Sequence, residues 1–239
     1  MKVGLLECDH VAAPFRHIGG DYRDMFPALL PGLQFELFDV CNGHFPESAL
    51  ACDAYICTGS KYSVYDDIPW IHRLRDLVRE IHGAQRPYVG VCFGHQMMGE
   101  ALGGKVRKAA AGWCVGVHSF TLLRQERWMA PPESEYNLLM LCQDQVEELP
   151  PGSRVLSRAA DCPVGMFTVG TNMLGIQGHP EFSKDYVGAL IQDRVQRIGE
   201  EKSRAGLESL SQATQAPAIS RWIRNFLEKA AGEAGAGRR

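Results

Sequence analysis

Short apolar runs and one clear helical period divide the first hundred residues into alternating elements. Lys2 to Cys8 is largely apolar until Asp9-His10 interrupts it, Gln34 to Val40 forms a second run, and Asp53 to Thr58 a third that ends at Gly59-Ser60. Each suits a buried strand. Between Pro69 and His82 the period lengthens. Ile71, Leu74, Leu77, Val78 and Ile81 share one helical face, with Pro69 near the start and Gly83 placed to end the helix. Pro87 to Val91 predicts a further strand, and Phe93 to Leu102 a helix stopped by Gly103-Gly104. This alternation predicts an α/β fold: an open, mostly parallel sheet with helices on both faces.

The pattern then changes. Val115 to Leu123, Arg154 to Leu156, Val164 to Val169 and Met173 to Gln177 read as strands with short connections, and Gly170-Thr171-Asn172 as a hairpin turn between the last two. They predict a small antiparallel section. Helical periodicity returns with Val187, Leu190, Ile191, Val195 and Ile198 on one face, then Ile219, Trp222, Ile223, Phe226 and Leu227 on another. The Ala/Gly/Arg tail from Ala230 is expected to fray. No repeat and no domain-sized linker breaks the chain. The expected organisation is a domain over residues 1–195 and a helical extension of the same domain over 196–239.

Composition narrows the function. The chain has 239 residues, enough for one domain with a sizeable core, and a formal net charge of -3. No basic block tracks a phosphate backbone, so nucleic acid is not an expected partner. The N-terminus is charged too early for a signal peptide, and no apolar run reaches the roughly 18 residues of a membrane span. The eight cysteines include no C-x-x-C pair and fall in apparent strands such as Ala54-Tyr55-Ile56-Cys57. They read as buried thiols of a cytoplasmic protein rather than disulfides or metal ligands.

One cysteine differs. In Pro87-Tyr88-Val89-Gly90-Val91-Cys92-Phe93-Gly94-His95-Gln96 an apolar strand runs through G-V-C-F-G directly into a helix. This is the pattern of a nucleophile elbow, with cysteine in place of serine. The turn strains the nucleophile's backbone and needs small neighbours, which Gly90 and Gly94 supply. The helix N-terminus favours thiolate over thiol, and the N–H of Phe93 becomes a candidate oxyanion donor.

A nucleophilic thiol needs a base. His72 and His82 lie on a helix, His10, His17 and His44 fall in apparent loops, and His95 lies on the helix that leaves the elbow. His179 sits at the end of an apolar strand in Gln177-Gly178-His179-Pro180-Glu181. Pro180 biases it toward an extended backbone, where residues two apart point the same way. Glu181 can then hold the His179 ring and leave its other nitrogen to face Cys92.

These two segments resemble the paired signatures of class I, triad-type glutamine amidotransferases, in the order Cys92, His179, Glu181. The resemblance covers about residues 1 to 195 and implies a flavodoxin-like fold that needs no metal or cofactor. It implies further roles. Cys57-Thr58-Gly59-Ser60 matches the loop that offers a second oxyanion N–H, through Gly59 or Ser60. Gln96 matches a glutamine that contacts substrate, and Gly112-Trp113 the main chain that holds the α-amino and α-carboxylate end. Within the class the chain is most similar to free-standing, GMP synthase-like members, a group that includes plant γ-glutamyl peptidases. Gln143-Asp144-Gln145-Val146 supports this, except that relatives usually carry histidine where this chain has Cys142.

Three functions follow. One is hydrolysis of the γ-amide of glutamine, with ammonia passed to a separate synthase subunit, because the chain has no S-G-G-x-D-S pyrophosphate loop of its own. Another is stand-alone hydrolysis of γ-glutamyl peptides by the same triad. The third is an inactive binding or regulatory subunit. An ester or lactone hydrolase fits less well, because α/β-hydrolases place the acid well before the histidine.

Overall fold

The computed structural model describes residues 1–236. Among the described residues there are eleven strands: β1 (Lys2–Leu6), β2 (Gln34–Phe38), β3 (Ala54–Cys57), β4 (Tyr88–Val91), β5 (Lys105–Lys108), β6 (Cys114–Leu122), β7 (Glu135–Cys142), β8 (Asp144–Glu148), β9 (Ser153–Ala159), β10 (Cys162–Val169) and β11 (Met173–Ile176). Nine of them form one sheet in the order β2-β1-β3-β4-β11-β10-β9-β6-β7, and β5 pairs with β8 apart from it. From β2 to β11 neighbours are parallel; beyond β11 every pairing is antiparallel.

The helices are α1 (Arg16–Gly19), α2 (Tyr22–Leu29), α3 (Pro69–Gly83), α4 (Phe93–Ala101), α5 (Lys184–Asp193), α6 (Val195–Ile198), α7 (Glu200–Ser209) and α8 (Ala216–Ala236). Strand alternation splits the core in two. Ala54, Ile56, Val89 and Val91 point to the face covered by α2, α5 and α8, while Tyr55, Cys57 and Tyr88 point to the face covered by α3 and α4. The α/β architecture with both faces covered is the one the sequence predicts. The helical stripe Ile71, Leu74, Leu77, Val78, Ile81 is wholly buried on α3, and the turn at Gly170 joins the antiparallel β10 and β11.

Several expectations change. The second strand stops at Phe38, and Val40 begins a 3-10 turn. β5 and β8 escaped the sequence reading because charged residues dominate them, with Val106 alone buried in β5. β7 escaped it because an apolar run such as Leu138 to Leu141 does not distinguish strand from helix. The stripe Val187 to Ile198 is not one helix but α5 and α6. The tail does not fray at Ala230: that residue is buried and α8 continues to Ala236. The remainder of the expected fray, 237–239, lies outside the described residues.

Candidate active site

The elbow forms where β4 meets α4, at the C-terminal ends of the parallel strands, the usual location of sites in open α/β sheets. Cys92 is the N-cap of α4 with φ 51° and ψ -101°, a backbone state strained for a residue with a side chain. It is held there by its N–H donating to Ile176 O at 2.9 Å and by its carbonyl accepting from Gln96 N at 3.0 Å. The flanking glycines are sterically required. A Cβ on Gly90 would lie 2.3 Å from the Gly94 backbone, and one on Gly94 would lie 2.4 Å from Cys57 O.

His179 follows β11 at the parallel–antiparallel boundary, where its N–H donates to Leu139 O at 2.8 Å and ties the segment to β7. Its Nδ1 lies 2.7 Å from Glu181 Oε1, and the Glu181 side chain is sealed from solvent. The Phe182 ring stacks on the imidazole, centroids 4.0 Å apart and nearly parallel. Ring orientation is thus set by a hydrogen bond at one edge and a flat contact on one face.

The electrostatics favour an ion pair. Cys92 is brought down to about 5 by a hydrogen bond from Cys142, against the penalty of burial and with help from the charge of His179. Burial pulls His179 down, but the charges of Glu181 and Cys92 outweigh it and hold the imidazole at about 10. At neutral pH the sulfur is therefore thiolate and the ring imidazolium. His95 is different in kind. It packs edge-on against Phe167 at 4.9 Å, and burial depresses it to about 3, so it stays neutral.

The loop after β3 completes the centre. Gly59 presses against the site: a Cβ there would lie 2.9 Å from His179 Cε1 and 3.8 Å from Cys92 Cβ. Ser60 Oγ donates to Cys8 O at 2.9 Å and Thr58 Oγ1 accepts from Cys8 N at 2.9 Å, which moors the loop to the end of β1. Phe93 sends its side chain toward Trp70 in the opposite core. Its N–H, at the first turn of α4, has no acceptor within the helix.

Cys92 stands at the junction of two cavities. One, of about 270 Å³, is lined by Ser60, Gln96, Trp113, Cys142, Asp144 and Arg197 among others. Gln96 Nε2 donates to Asp144 O at 2.7 Å and to Gln177 Oε1 at 3.2 Å, so its amide is pre-positioned. The Arg197 guanidinium lies 5.0 Å from the Trp113 ring. Gly112 takes the positive-φ position of the preceding turn, at 76°, and is not part of the cavity wall, whereas Trp113 is. The second cavity, of about 100 Å³, lies on the His179 side and is walled by Tyr22, Phe182, Tyr186 and Leu190. His10, which reads as an ordinary loop residue in sequence, borders it and is held between Asp21 and Asp39 at 3.0 and 3.1 Å. Tyr22 and Tyr186 carry no sequence motif, and Tyr22 comes from α2, far away along the chain.

Two clusters, Glu7-His10-Asp21 and His10-Asp39-Cys41, bring ligand-type atoms within 4.8 Å of one another. Their groups are already engaged, His10 as above and Glu7 in a two-bond pair with Arg23. No helix among the described residues is long and apolar enough to cross a membrane.

Fold and geometry together place the chain among α/β proteins that present a cysteine on a strand-to-helix elbow beside a histidine–glutamate pair. Residues 45–194 match the family model for glutamine amidotransferase class-I, and the chain belongs to that family. Gamma-glutamyl peptidase 4 of Arabidopsis thaliana is 31% identical over 185 residues, which cover 74% of this chain and 73% of the relative. A glutamine-hydrolysing GMP synthase of Ralstonia pickettii is 34% identical over 149 residues, 59% of this chain but 27% of the synthase. A solved glutamine amidotransferase from Thermotoga maritima has the same fold, with TM-score 0.73 at 20% identity over 96% of this chain and 98% of that one.

Proposed function

We propose that the chain hydrolyses γ-glutamyl amides through a thioester on Cys92. The observation that carries this reading is the strained elbow at Cys92, which shares a cavity with His179, whose Nδ1 is held 2.7 Å from Glu181. Cys92 attacks the γ-carbonyl, and the N–H of Phe93 and those of the Gly59-Ser60 loop receive the oxyanion. His179 protonates the leaving amine and then takes a proton from the water that cleaves the thioester. Gln96 and Trp113 line the cavity for the glutamyl part, with Gly112 setting the turn that presents Trp113. In this reading residues 196–239 extend the domain of residues 1–195, and Arg197 of α6 supports it by reaching the glutamyl cavity.

Glutamine is the simplest substrate. Its ammonia would go to a separate synthase polypeptide, a role that the GMP synthase relative's name suggests. The second cavity favours a larger leaving amine as a second reading. A space of about 100 Å³ beside the proton donor exceeds what ammonia needs, since even a water molecule claims only about 30 Å³ in the liquid. Aromatic walls also suit a peptide side chain better than they suit ammonia.

The test is to incubate the purified chain with glutamine and with γ-glutamyl dipeptides, measuring ammonia or free amino acid. Turnover of at least one substrate, lost in Cys92→Ser, is expected. Turnover that survives Cys92→Ser would exclude the proposed nucleophile, and no turnover of any substrate would favour a binding or regulatory role. The ratio of kcat/KM between dipeptide and glutamine decides between the two substrates.

A further inference from the structure

The chemistry proposed above uses one sulfur, yet the cavity at the elbow is lined by two. Cys142 is the last residue of β7, paired across the ladder with Cys114. The hydrogen bond from His179 N to Leu139 O sews β7 to the segment that carries the histidine. That stitch brings the C-terminal end of β7 to the elbow, so Cys142 lines the same cavity as Cys92, and its thiol is the leading influence on the Cys92 sulfur. Both are nearly buried, with 4% and 6% of their surface exposed. The cavity of about 270 Å³ in front of them is ample for a molecule the size of hydrogen peroxide.

We propose that Cys92 and Cys142 form an oxidisable dithiol site, in which a hydroperoxide converts the pair to an intramolecular disulfide that external thiols reverse. The steps balance. The Cys92 thiolate attacks one peroxide oxygen, the O–O bond breaks, and Cys92 becomes a sulfenic acid as hydroxide leaves. The Cys142 sulfur then attacks the sulfenic sulfur, the S–O bond breaks, and the thiol proton leaves with the hydroxyl as water. Two electrons pass from the two thiols to one peroxide. Reduction by a dithiol returns both cysteines.

The division of labour follows from the surroundings. Cys92 is ionised and is the sulfur that reacts first. Cys142 is held well above the ordinary thiol range by its hydrogen bond to Cys92 and by burial, so it stays a protonated partner until a sulfenic acid forms beside it. Reaction with Cys142 then competes with further oxidation of Cys92 to sulfinic acid, which ordinary thiols do not reverse.

The molecule contains its own control. Cys8 and Cys57 have sulfurs 3.4 Å apart, but both are entirely buried and Cys8 is pushed far up by burial. Proximity without access should leave that pair reduced.

The experiment treats the whole chain with a modest excess of hydrogen peroxide, blocks remaining thiols with an alkylating agent, and maps the peptides by mass. The expected result is the loss of two of the eight free thiols, a peptide cross-link between Cys92 and Cys142 lighter by two hydrogens, alkylated Cys8 and Cys57, and full return of both thiols with dithiothreitol. In Cys142→Ser, Cys92 should instead proceed to sulfinic or sulfonic acid and fail to return. Over-oxidised Cys92 beside alkylatable Cys142 in the unaltered chain would overturn the proposal. So would a cross-link from Cys92 to Cys114 or Cys162, or oxidation of Cys8 and Cys57 ahead of the elbow pair. Mass is the readout, so the result holds whichever amide the chain hydrolyses and stands on the unaltered chain if the variant does not fold.

Discussion

The Nδ1 atom of His179 lies 2.7 Å from Oε1 of Glu181, whose side chain has no exposed surface. The other carboxylate oxygen, Oε2, is also buried and has no hydrogen-bond partner among the described residues. Glu181 is therefore committed to the imidazole. Glu181→Gln keeps the volume and removes the charge that sustains the imidazolium. We expect kcat to fall by roughly 10²–10⁴-fold, as when the orienting acid of a triad is neutralised. Steady-state kinetics with a folded variant, checked by circular dichroism, test this; an unchanged kcat would remove Glu181 from the mechanism.

The pH profile should be broad and flat in the middle. Cys92 is lowered to about 5, so its thiolate is present above that pH, and His179 is raised to about 10, so its imidazolium persists below it. The profile of kcat/KM should therefore lose activity on the acid side near pH 5 and on the alkaline side near pH 10. Because Cys142 supplies the leading stabilisation of the thiolate, Cys142→Ala should move the acid limb upward. A limb that stays in place would mean that Cys142 does not act on Cys92.

Gly59 separates geometry from stability. A methyl group at this position would sit 2.9 Å from His179 Cε1, so the ring must turn away to admit it. Gly59→Ala should lower kcat by about 10–10²-fold, the cost of a misplacement near 1 Å, with little change in Tm.

Gly94 tests the frame beneath. Its missing Cβ would lie 2.4 Å from the carbonyl oxygen of Cys57, which is backbone in a central strand and cannot step aside. Gly94→Ala should destabilise by about 3 kcal/mol, the upper end of ordinary overpacking, and lower Tm accordingly. An undisturbed Tm would show that β3 and α4 can part.

The last helix is expected to be structural. Trp222 is fully buried, stacks edge-on against Tyr136 at 5.9 Å, and donates its indole N–H to Pro131 O at 2.8 Å. Trp222→Ala should cost about 3–5 kcal/mol, read by chemical denaturation. A negligible loss would mean that α8 is an appendage rather than part of the domain.

Much of this protein is local in origin and therefore legible along the chain. The helical period of the α3 stripe, the need for glycine at Gly90 beside the Gly94 backbone and the turn at Gly170 each rest on residues a few positions apart. Charged β5 and β8 were not legible, because only their pairing with each other makes strands of them. Nor was the persistence of α8 past Ala230, since the alanine- and glycine-rich end carries little signal of its own, and the burial of Ala230 is a tertiary fact.

The α/β class, the elbow at Cys92 and the spacing by which Glu181 can serve His179 are legible along the chain alone. Those depend on periodicity, steric need and short-range geometry. Tertiary structure alone decided what surrounds the sulfur. Tyr22 from α2 and Tyr186 from α5 reach the cavity beside His179, and Cys142 from β7 reaches Cys92. The reason is that strand order differs from chain order: β11 lies beside β4, and the β7 segment meets His179, only once the whole sheet has assembled.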